Sequence, residues 1–174
     1  MREIAFEDIP TLVGQELAVT EWQTITQSQV DLFAQATGDH QWIHVDVERA
    51  KRESPFGGPV AHGFLTLSLL PMLLGNSVRV TGAVMGVNYG LNRVRFTAPV
   101  PVGSAVRGRV AIKSADRLDP ADTLTGGPGW QFVWSVTIEL QGFERPACVA
   151  EMVSRSLAAP VDASVVVPST TPVR

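Results

Sequence analysis

The chain has 174 residues, of which 45% are hydrophobic and 18% are charged. This length and composition fit one folded domain with a sizeable core, and they exclude a disordered or fibrous protein. The formal net charge of -3 argues against nucleic-acid binding, which favours a basic surface. The single cysteine, Cys148, excludes an internal disulfide and fits a reducing compartment. The N-terminal segment lacks the apolar run of a signal peptide, and no apolar run is long enough to span a membrane, so we expect a cytoplasmic protein.

The first part of the chain is predicted to contain an extended arm and two helices. Residues 14–24 alternate loosely between apolar and polar side chains, which favours a strand or extended arm. Thr26 is a candidate N-cap for a helix that ends at Gly38. Asp46 is a candidate cap for a second, short helix over residues 47–53.

An almost wholly apolar run extends from Gly63 to Leu74. Because it lacks a polar face, we predict a helix that is buried on nearly all sides. Pro71 lies inside this run and is expected to kink or end the helix, since proline removes one intrahelical hydrogen bond.

The second half of the chain is predicted to form a sheet. Four segments are rich in β-branched residues or alternate with period two: 84–97, 105–113, 130–140 and 147–157. Consecutive strands without intervening helices imply antiparallel pairing. The sequence therefore predicts an α+β domain over residues 1–158, with one long helix against a curved sheet, and an extended or flexible tail over residues 159–174.

The candidate chemistry is concentrated around Asp39 and His44. Asp39 follows a glycine on a loop between two predicted helices, and His44 comes five positions later. Each has a structural alternative, because aspartates often bind backbone amides in turns and histidines often make structural hydrogen bonds. A tight loop can bring both groups into one pocket, and histidine is easily tuned to exchange protons near neutral pH. Together they indicate an acid–base pair.

Gly63 supplies a possible third element at the start of the apolar helix. Backbone N–H groups at a helix start are unpaired, so the Gly63 N–H can hold an oxygen that becomes negative during a reaction. Glycine also allows close approach, although it can equally serve helix–sheet packing alone.

The remaining histidines and the cysteine are weaker candidates. His40 is expected to face solvent, and His62 to point into the core or cap a carbonyl. Asp39, His40 and His44 are close in sequence, but Gly38 indicates a loop in which such ligands do not converge, so we expect no metal site. Cys148 lies in an apolar strand pattern and is expected in the core.

The segments Ala36-Thr37-Gly38-Asp39 and Ala61-His62-Gly63-Phe64-Leu65, with His44 between them, resemble the MaoC-like, (R)-specific enoyl-CoA hydratases. Within that family the chain looks most similar to the nodulation-protein-N-like branch. Residues 93–100 also resemble a strand of the family, and the resemblance covers about residues 8–157. It implies the hotdog fold, an antiparallel sheet wrapped around a long central helix, and a homodimer with active sites near the dimer interface.

The resemblance further implies a hydro-lyase that reversibly hydrates trans-2-enoyl-CoA to (R)-3-hydroxyacyl-CoA. Asp39 and His44 would hold the water, and the Gly63 N–H would stabilise the thioester enolate. No metal or redox cofactor is implied, and the substrate is a thioester of CoA or of acyl-carrier protein. Two alternatives remain: a hotdog acyl-CoA thioesterase and a non-catalytic acyl-thioester-binding protein.

Substrate contacts are expected from residues that flank the site or carry charge: Gln41, Trp42, Phe56, His62, Arg93 and Arg95. Arg93 and Arg95 share one face of a predicted strand and could meet phosphates or be ordinary solvated charges. Gln41-Trp42 stand where many members of the family have Asn-Pro, which leaves the loop stiffness and the acyl chain length open.

Overall fold

The computed structural model describes residues 1–160. Except for its first two residues, the predicted C-terminal tail lies outside this described part. The helices are α1 (Gln27–Thr37), α2 (Trp42–Val45), α3 (Val47–Glu53), α4 (Gly63–Ser68) and α5 (Leu70–Gly75). The strands are β1 (Arg2–Ala5), β2 (Glu16–Val19), β3 (Gln23–Thr24), β4 (Val78–Thr81), β5 (Ala83–Phe96), β6 (Ala105–Leu118), β7 (Gly129–Leu140) and β8 (Cys148–Ala158). Short 3-10 helices span Ile9–Leu12 and Pro120–Asp122.

The main sheet has the strand order β2-β6-β7-β8-β5, with β3 also paired to β6. All of these pairings are antiparallel, which confirms the predicted sheet. The predicted arm over residues 14–24 forms the two short strands β2 and β3. A separate parallel pair, β1 with β4, was not predicted, because each strand has only four residues and its partner is remote in sequence. Within the described residues, no helix is long and apolar enough to cross a membrane.

The core lies between the sheet and the broken apolar helix. On β7 the inward side chains are at most 2% exposed, and they are the ones on the predicted period-2 face: Phe132, Trp134, Val136, Ile138 and Leu140. Leu70 and Leu73 of α5 are equally buried from the helix side. Gly108 of β6 faces Leu73, and a Cβ built there would lie in van der Waals contact with it at 3.4 Å. This packing fixes the helix against the middle of the sheet.

The apolar run from Gly63 forms two short helices instead of one. α4 ends before Leu69, and Pro71 lies in the first turn of α5, where its missing N–H is not needed. The expected interruption at Pro71 is therefore confirmed. The prediction of burial on nearly all sides is wrong for the single chain, because Phe64 is 67% exposed and Met72 is 40% exposed. An apolar run predicts that a segment is buried, but it does not show whether the segment packs against its own chain or against a second chain.

The predicted helix boundaries around the first two helices are confirmed by their caps. The Thr26 hydroxyl accepts from the Gln29 N–H while the Gln29 side chain accepts from the Thr26 N–H, which makes a capping box. Gly38 ends α1 with φ 79°, a left-handed conformation that glycine adopts freely. The Asp46 carboxylate accepts from the Arg49 N–H at the start of α3. The one-turn helix α2 was not predicted, because four residues cannot show a helical period.

Candidate active site

The turn after α1 and the short helix α2 bring Asp39 and His44 together. Asp39 lies just after Gly38 with a carboxylate that is 55% exposed. α2 then carries His44 inward, where it is 7% exposed. A carboxylate oxygen of Asp39 and a ring nitrogen of His44 lie within 4.8 Å of each other. One water that hydrogen-bonds to two groups bridges about 4.6 Å, so a single water can contact both. The sequence-based expectation of a loop that joins these groups agrees with this geometry.

The backbone carbonyl of Val60 fixes the tautomer of His44. His44 Nδ1 lies 2.6 Å from this oxygen. Because a carbonyl only accepts, Nδ1 carries the proton, and the neutral ring presents its lone pair at Nε2. The Val60 N–H in turn donates to the Ile43 carbonyl at 3.1 Å, which ties α2 to this segment. The side chain is therefore oriented to accept a proton at Nε2.

Burial lowers the pKa of His44 below its ordinary value of 6.5. The hydrogen bond to Val60 opposes this effect, the nearby imidazole of His62 lowers the pKa further, and the charge of Asp39 raises it. Since the net shift is downward, His44 is predominantly neutral at pH 7 and can act as a base.

His62 packs directly against this pair. Its ring centroid lies 3.9 Å from that of His44, with the planes 29° apart. Its Nε2 lies 2.9 Å from the Asp39 backbone oxygen. The ring is only 2% exposed, so it has no surface on which to meet substrate. The expected substrate contact by His62 is therefore not supported, whereas the alternative of a core position agrees with the structure.

Gly63 is the first residue of α4 and follows His62 directly. Within residues 1–160, no backbone or side-chain acceptor is hydrogen-bonded to its N–H. A cavity of about 310 Å³ adjoins Gly63 and is lined by Phe56, Phe96 and Thr66 among others. A Cβ at position 63 would lie 2.9 Å from the Phe96 ring, so a side chain larger than hydrogen does not fit there. Gly63 lines this cavity, whose volume is large enough for a carbonyl group and a short chain attached to it.

Of the other expected substrate contacts, only Phe56 lines this cavity. Phe56 lines it and is 46% exposed. Gln41 is exposed and its N–H makes only a long contact, 3.4 Å, with the Asp39 carboxylate. Trp42 packs under the Arg49 guanidinium, 4.3 Å from the ring centroid, so its indole is engaged within the α2–α3 region.

The structure does not bring Arg93 and Arg95 to the cavity. On β5 they pair with Glu151 and Val149 of β8, whereas the intervening Val94 pairs with the buried Ala150. Because paired residues share a face of the sheet, both arginines lie on the face away from α4. Nothing within the described chain links them to the Asp39–His44 pair, and their proposed contact with phosphates remains a prediction.

Within residues 1–160, the candidate group of metal ligands is Asp39, His44 and His62, which each offer one ligand-type atom within 4.8 Å of the others. His40, which lies next to Asp39 in sequence, is exposed and is not part of this group. The two imidazole rings are stacked with their planes 29° apart, so their in-plane lone pairs lie in nearly parallel planes, which disfavours convergence on one ion. His44 Nδ1 and His62 Nε2 are also occupied by backbone carbonyls. The arrangement suits a bound water better than a tetrahedral metal.

Three contributors to the site were missed by sequence reasoning. The Val60 carbonyl acts through its backbone, so no side-chain pattern signals it. Gln27 donates to the His44 carbonyl at 2.8 Å from the first turn of α1, but its spacing from His44 is unremarkable in sequence. Phe96 on β5 lies against Gly63 because β5 packs near the start of α4, and the two residues are 33 positions apart in sequence. The aromatic wall that Phe96 forms with Phe56 therefore depends on contacts that are remote in sequence.

An antiparallel sheet wrapped around a central, interrupted helix, with an acid–base pair at the start of that helix, defines a hotdog-fold protein. Residues 8–125 match the family of MaoC-like domains, and the chain belongs to that family.

Named relatives agree with this assignment. The chain is 48% identical over 151 residues to 3-hydroxyacyl-thioester dehydratase Z of Mycobacterium tuberculosis, covering 87% of this chain and 95% of that protein. It is 45% identical over 155 residues to nodulation protein N of Rhizobium leguminosarum, covering 88% and 92%. The structure of an (R)-hydratase from A. caviae involved in PHA biosynthesis superimposes with a TM-score of 0.64 at 25% identity, covering 85% and 96%. The resemblance drawn from the sequence motifs is confirmed.

Proposed function

We propose that this protein is a hydro-lyase that reversibly hydrates trans-2-enoyl thioesters to (R)-3-hydroxyacyl thioesters. The observation that carries the proposal is the placement of the Asp39 carboxylate within 4.8 Å of a His44 ring nitrogen. It is supported by the unpaired Gly63 N–H beside the cavity. The relatives named as a 3-hydroxyacyl-thioester dehydratase and an (R)-hydratase act in the same class of reaction.

The proposed reaction begins with a water held between Asp39 and His44. The water donates one hydrogen bond to the Asp39 carboxylate and the other to His44 Nε2, so its oxygen lone pair faces the substrate. As the oxygen forms a bond to C3, His44 takes the proton from the breaking O–H bond. The electron pair of the C2–C3 double bond moves towards the thioester carbonyl, which becomes an enolate.

The enolate oxygen accepts a hydrogen bond from the Gly63 N–H. A single backbone donor aimed at such an oxygen contributes on the order of 10²-fold to a rate. The imidazolium of His44 then returns its proton to C2 on the face from which the water came. Both new bonds therefore form on one face, and His44 ends neutral and ready for another cycle.

This chemistry adds or removes water without oxidation or reduction, so we propose that it needs no redox cofactor. The stacked geometry of the two histidines also favours a mechanism without a metal. We propose acyl-CoA as the substrate, with an acyl-carrier-protein thioester as the alternative, and a cytoplasmic location, where such thioesters are available.

We further propose that the protein is a homodimer joined through β5. Within the described sheet, β5 is an edge strand that pairs only with β8. Its exposed side chains include Val84, Tyr89 and Leu91, which are 64%, 59% and 46% exposed. A long apolar edge strand is prone to pair with another chain, and a second β5 offers the matching edge. Phe96, which contacts Gly63, is on the same strand, so such an interface adjoins the active site.

The test is an assay of the purified protein with crotonyl-CoA and with butyryl-CoA. Loss of the enoyl absorbance of crotonyl-CoA, with formation of (R)-3-hydroxybutyryl-CoA, is the expected result. The variant His44→Gln is expected to lose at least about 10²-fold in kcat, because a general acid–base group contributes that much or more. Asp39→Asn is also expected to lower kcat strongly, because it removes the negative charge that holds the water and stabilises the imidazolium formed at His44. His40→Gln and Asp122→Asn are matched controls, since both side chains are exposed and lie outside the pair.

The same assay separates the alternatives. Release of free thiol from butyryl-CoA, without loss of the enoyl group of crotonyl-CoA, would identify a thioesterase. Binding of both compounds without turnover of either would identify an acyl-thioester-binding protein. Full hydration activity in Asp39→Asn would contradict the proposed mechanism even if the reaction class were correct.

A further inference from the structure

We propose that His62 is a positioning residue that holds both members of the acid–base pair in their working geometry. The proposal rests on the hydratase function proposed above. It assigns His62 no contact with substrate, and instead a role exerted through Asp39 and His44.

The first contact is with the loop that carries Asp39. His62 Nε2 donates to the Asp39 backbone carbonyl at 2.9 Å, and because a carbonyl only accepts, this nitrogen must carry a proton. The other hydrogen bonds at Asp39 are longer: its N–H lies 3.5 Å from the Thr37 hydroxyl, and its carboxylate lies 3.4 Å from the Gln41 N–H. The bond from His62 is therefore the strongest tether of an otherwise exposed residue.

The second contact is with the ring of His44. The two imidazoles are stacked with centroids 3.9 Å apart. His62 is also packed against Phe33, at a centroid distance of 5.0 Å, so its own ring is held in place. Rotation of the His44 ring would move Nε2 away from the shared water, and the stacked ring of His62 hinders that rotation. The same imidazole also contributes to the lowered pKa of His44.

A simple packing role does not account for this residue. His62 Nδ1 is buried and has no hydrogen-bond partner among the described residues. Leaving a buried polar atom unpaired is destabilising, and an apolar ring of similar size would avoid that cost. A histidine at this position is explained by its donor at Nε2 combined with a flat ring that can stack.

His62 also links the pair to the third element of the site. It is the N-cap residue of α4, and its carbonyl accepts from the Thr66 N–H at 3.1 Å and from the Thr66 hydroxyl at 3.3 Å. Gly63 follows it directly. One buried residue thus contacts the Asp39 loop and the His44 ring and precedes the free amide.

Two substitutions separate the hydrogen bond from the stacking. His62→Phe keeps an aromatic ring against His44 but removes the donor to Asp39. His62→Gln keeps an N–H donor but removes the ring. We expect each variant to lose about 10- to 100-fold in kcat, because misplacement of a catalytic group by about 1 Å costs up to 10²-fold. KM for crotonyl-CoA is expected to stay within about threefold of the wild type, since His62 is too buried to touch substrate.

The matched controls are His40→Phe and His40→Gln, which make the same changes at an exposed histidine and are expected to retain kcat. Far-UV circular dichroism and the thermal midpoint establish that each variant is folded at the assay temperature. The imidazole resonances of His44 in NMR spectra are expected to shift in both His62 variants and in neither His40 variant. A merely structural role would lower the thermal midpoint without changing kcat or these resonances.

The outcomes distinguish this inference from the function on which it rests. A wild-type protein that does not hydrate crotonyl-CoA overturns the proposed function, and the catalytic role of His62 with it. If the wild type is active and one folded His62 variant keeps kcat within twofold of the wild type, the group which that variant removes has no positioning role. If both folded variants keep kcat within twofold of the wild type, the inference is overturned. Loss of folding in both variants would assign His62 to stability and would also overturn it.

Discussion

Replacement of Gly63 by alanine tests the close packing of Phe96 against Gly63 at the wall of the cavity. An alanine Cβ would lie 2.9 Å from Cδ2 and 3.0 Å from Cγ of Phe96. Carbon atoms normally pack at about 3.5–4.0 Å, so the overlap is at least about 0.6 Å. The Phe96 ring packs edge-on against Phe64 at 5.7 Å, so a shift of Phe96 to admit the methyl group would disturb this contact as well. Overpacking of this kind costs about 1–3 kcal/mol of stability.

The same overlap is expected to displace the Gly63 N–H from the thioester oxygen. A loss of about 10²-fold in kcat follows if that amide is the enolate donor. Urea unfolding measures the stability, and hydration of crotonyl-CoA measures the activity. In a Phe96→Ala background the obstructing ring is absent, so Gly63→Ala should then cost less than about 0.5 kcal/mol, within the range of ordinary surface changes. Equal destabilisation in both backgrounds would refute the reasoning.

Three further predictions concern pH, metal and assembly. The acid limb of kcat/KM is expected below pH 6.5, because His44 must be neutral to act as the base and burial lowers its pKa; a limb at higher pH would contradict this. Dialysis against EDTA is expected to leave activity within about twofold, as a reaction without metal requires, whereas a loss reversed by Zn²⁺ would show a metal at the site. Leu91→Lys on β5 is expected to dissociate the proposed dimer in light scattering, while Leu124→Lys, in the loop between β6 and β7 and 79% exposed, should not.

Much of the fold could be predicted from local signals. Thr26, Gly38 and Asp46 each form a cap whose hydrogen bond or backbone conformation depends on one or two neighbouring residues, and all three predictions are confirmed. The alternation on β7 likewise gives its buried face directly. These features can be predicted because they depend on interactions between residues that are close in sequence.

The errors come from contacts that are remote in sequence or absent from the single chain. Burial of Phe64 and Met72 was expected from their apolar surroundings, yet both are exposed in the single chain. The parallel pairing of β1 with β4 joins two short segments that carry no shared pattern. The long-range nature of these contacts, not a misread periodicity, explains why they were missed.

The candidate site shows the same division. The Gly-Asp turn and the spacing to His44 are local, and they pointed to the pair before any geometry was known. The roles of Val60 and His62 depend on the segment that returns past α2, so their hydrogen bonds to His44 and Asp39 could not be predicted from spacing. Arg93 and Arg95 both lie on the face of the sheet away from α4. This placement follows from the strand register, which a single sequence does not specify.

The stereochemistry of hydration in D₂O tests the central claim most directly, which is that one water between Asp39 and His44 adds to a single face of the substrate. The wild-type enzyme is incubated with crotonyl-CoA in D₂O, and the product is analysed by NMR and chiral chromatography. The account predicts (R)-3-hydroxybutyryl-CoA with one deuterium at C2 on the same face as the new hydroxyl group. An (S) product, or deuterium on the opposite face, would contradict it.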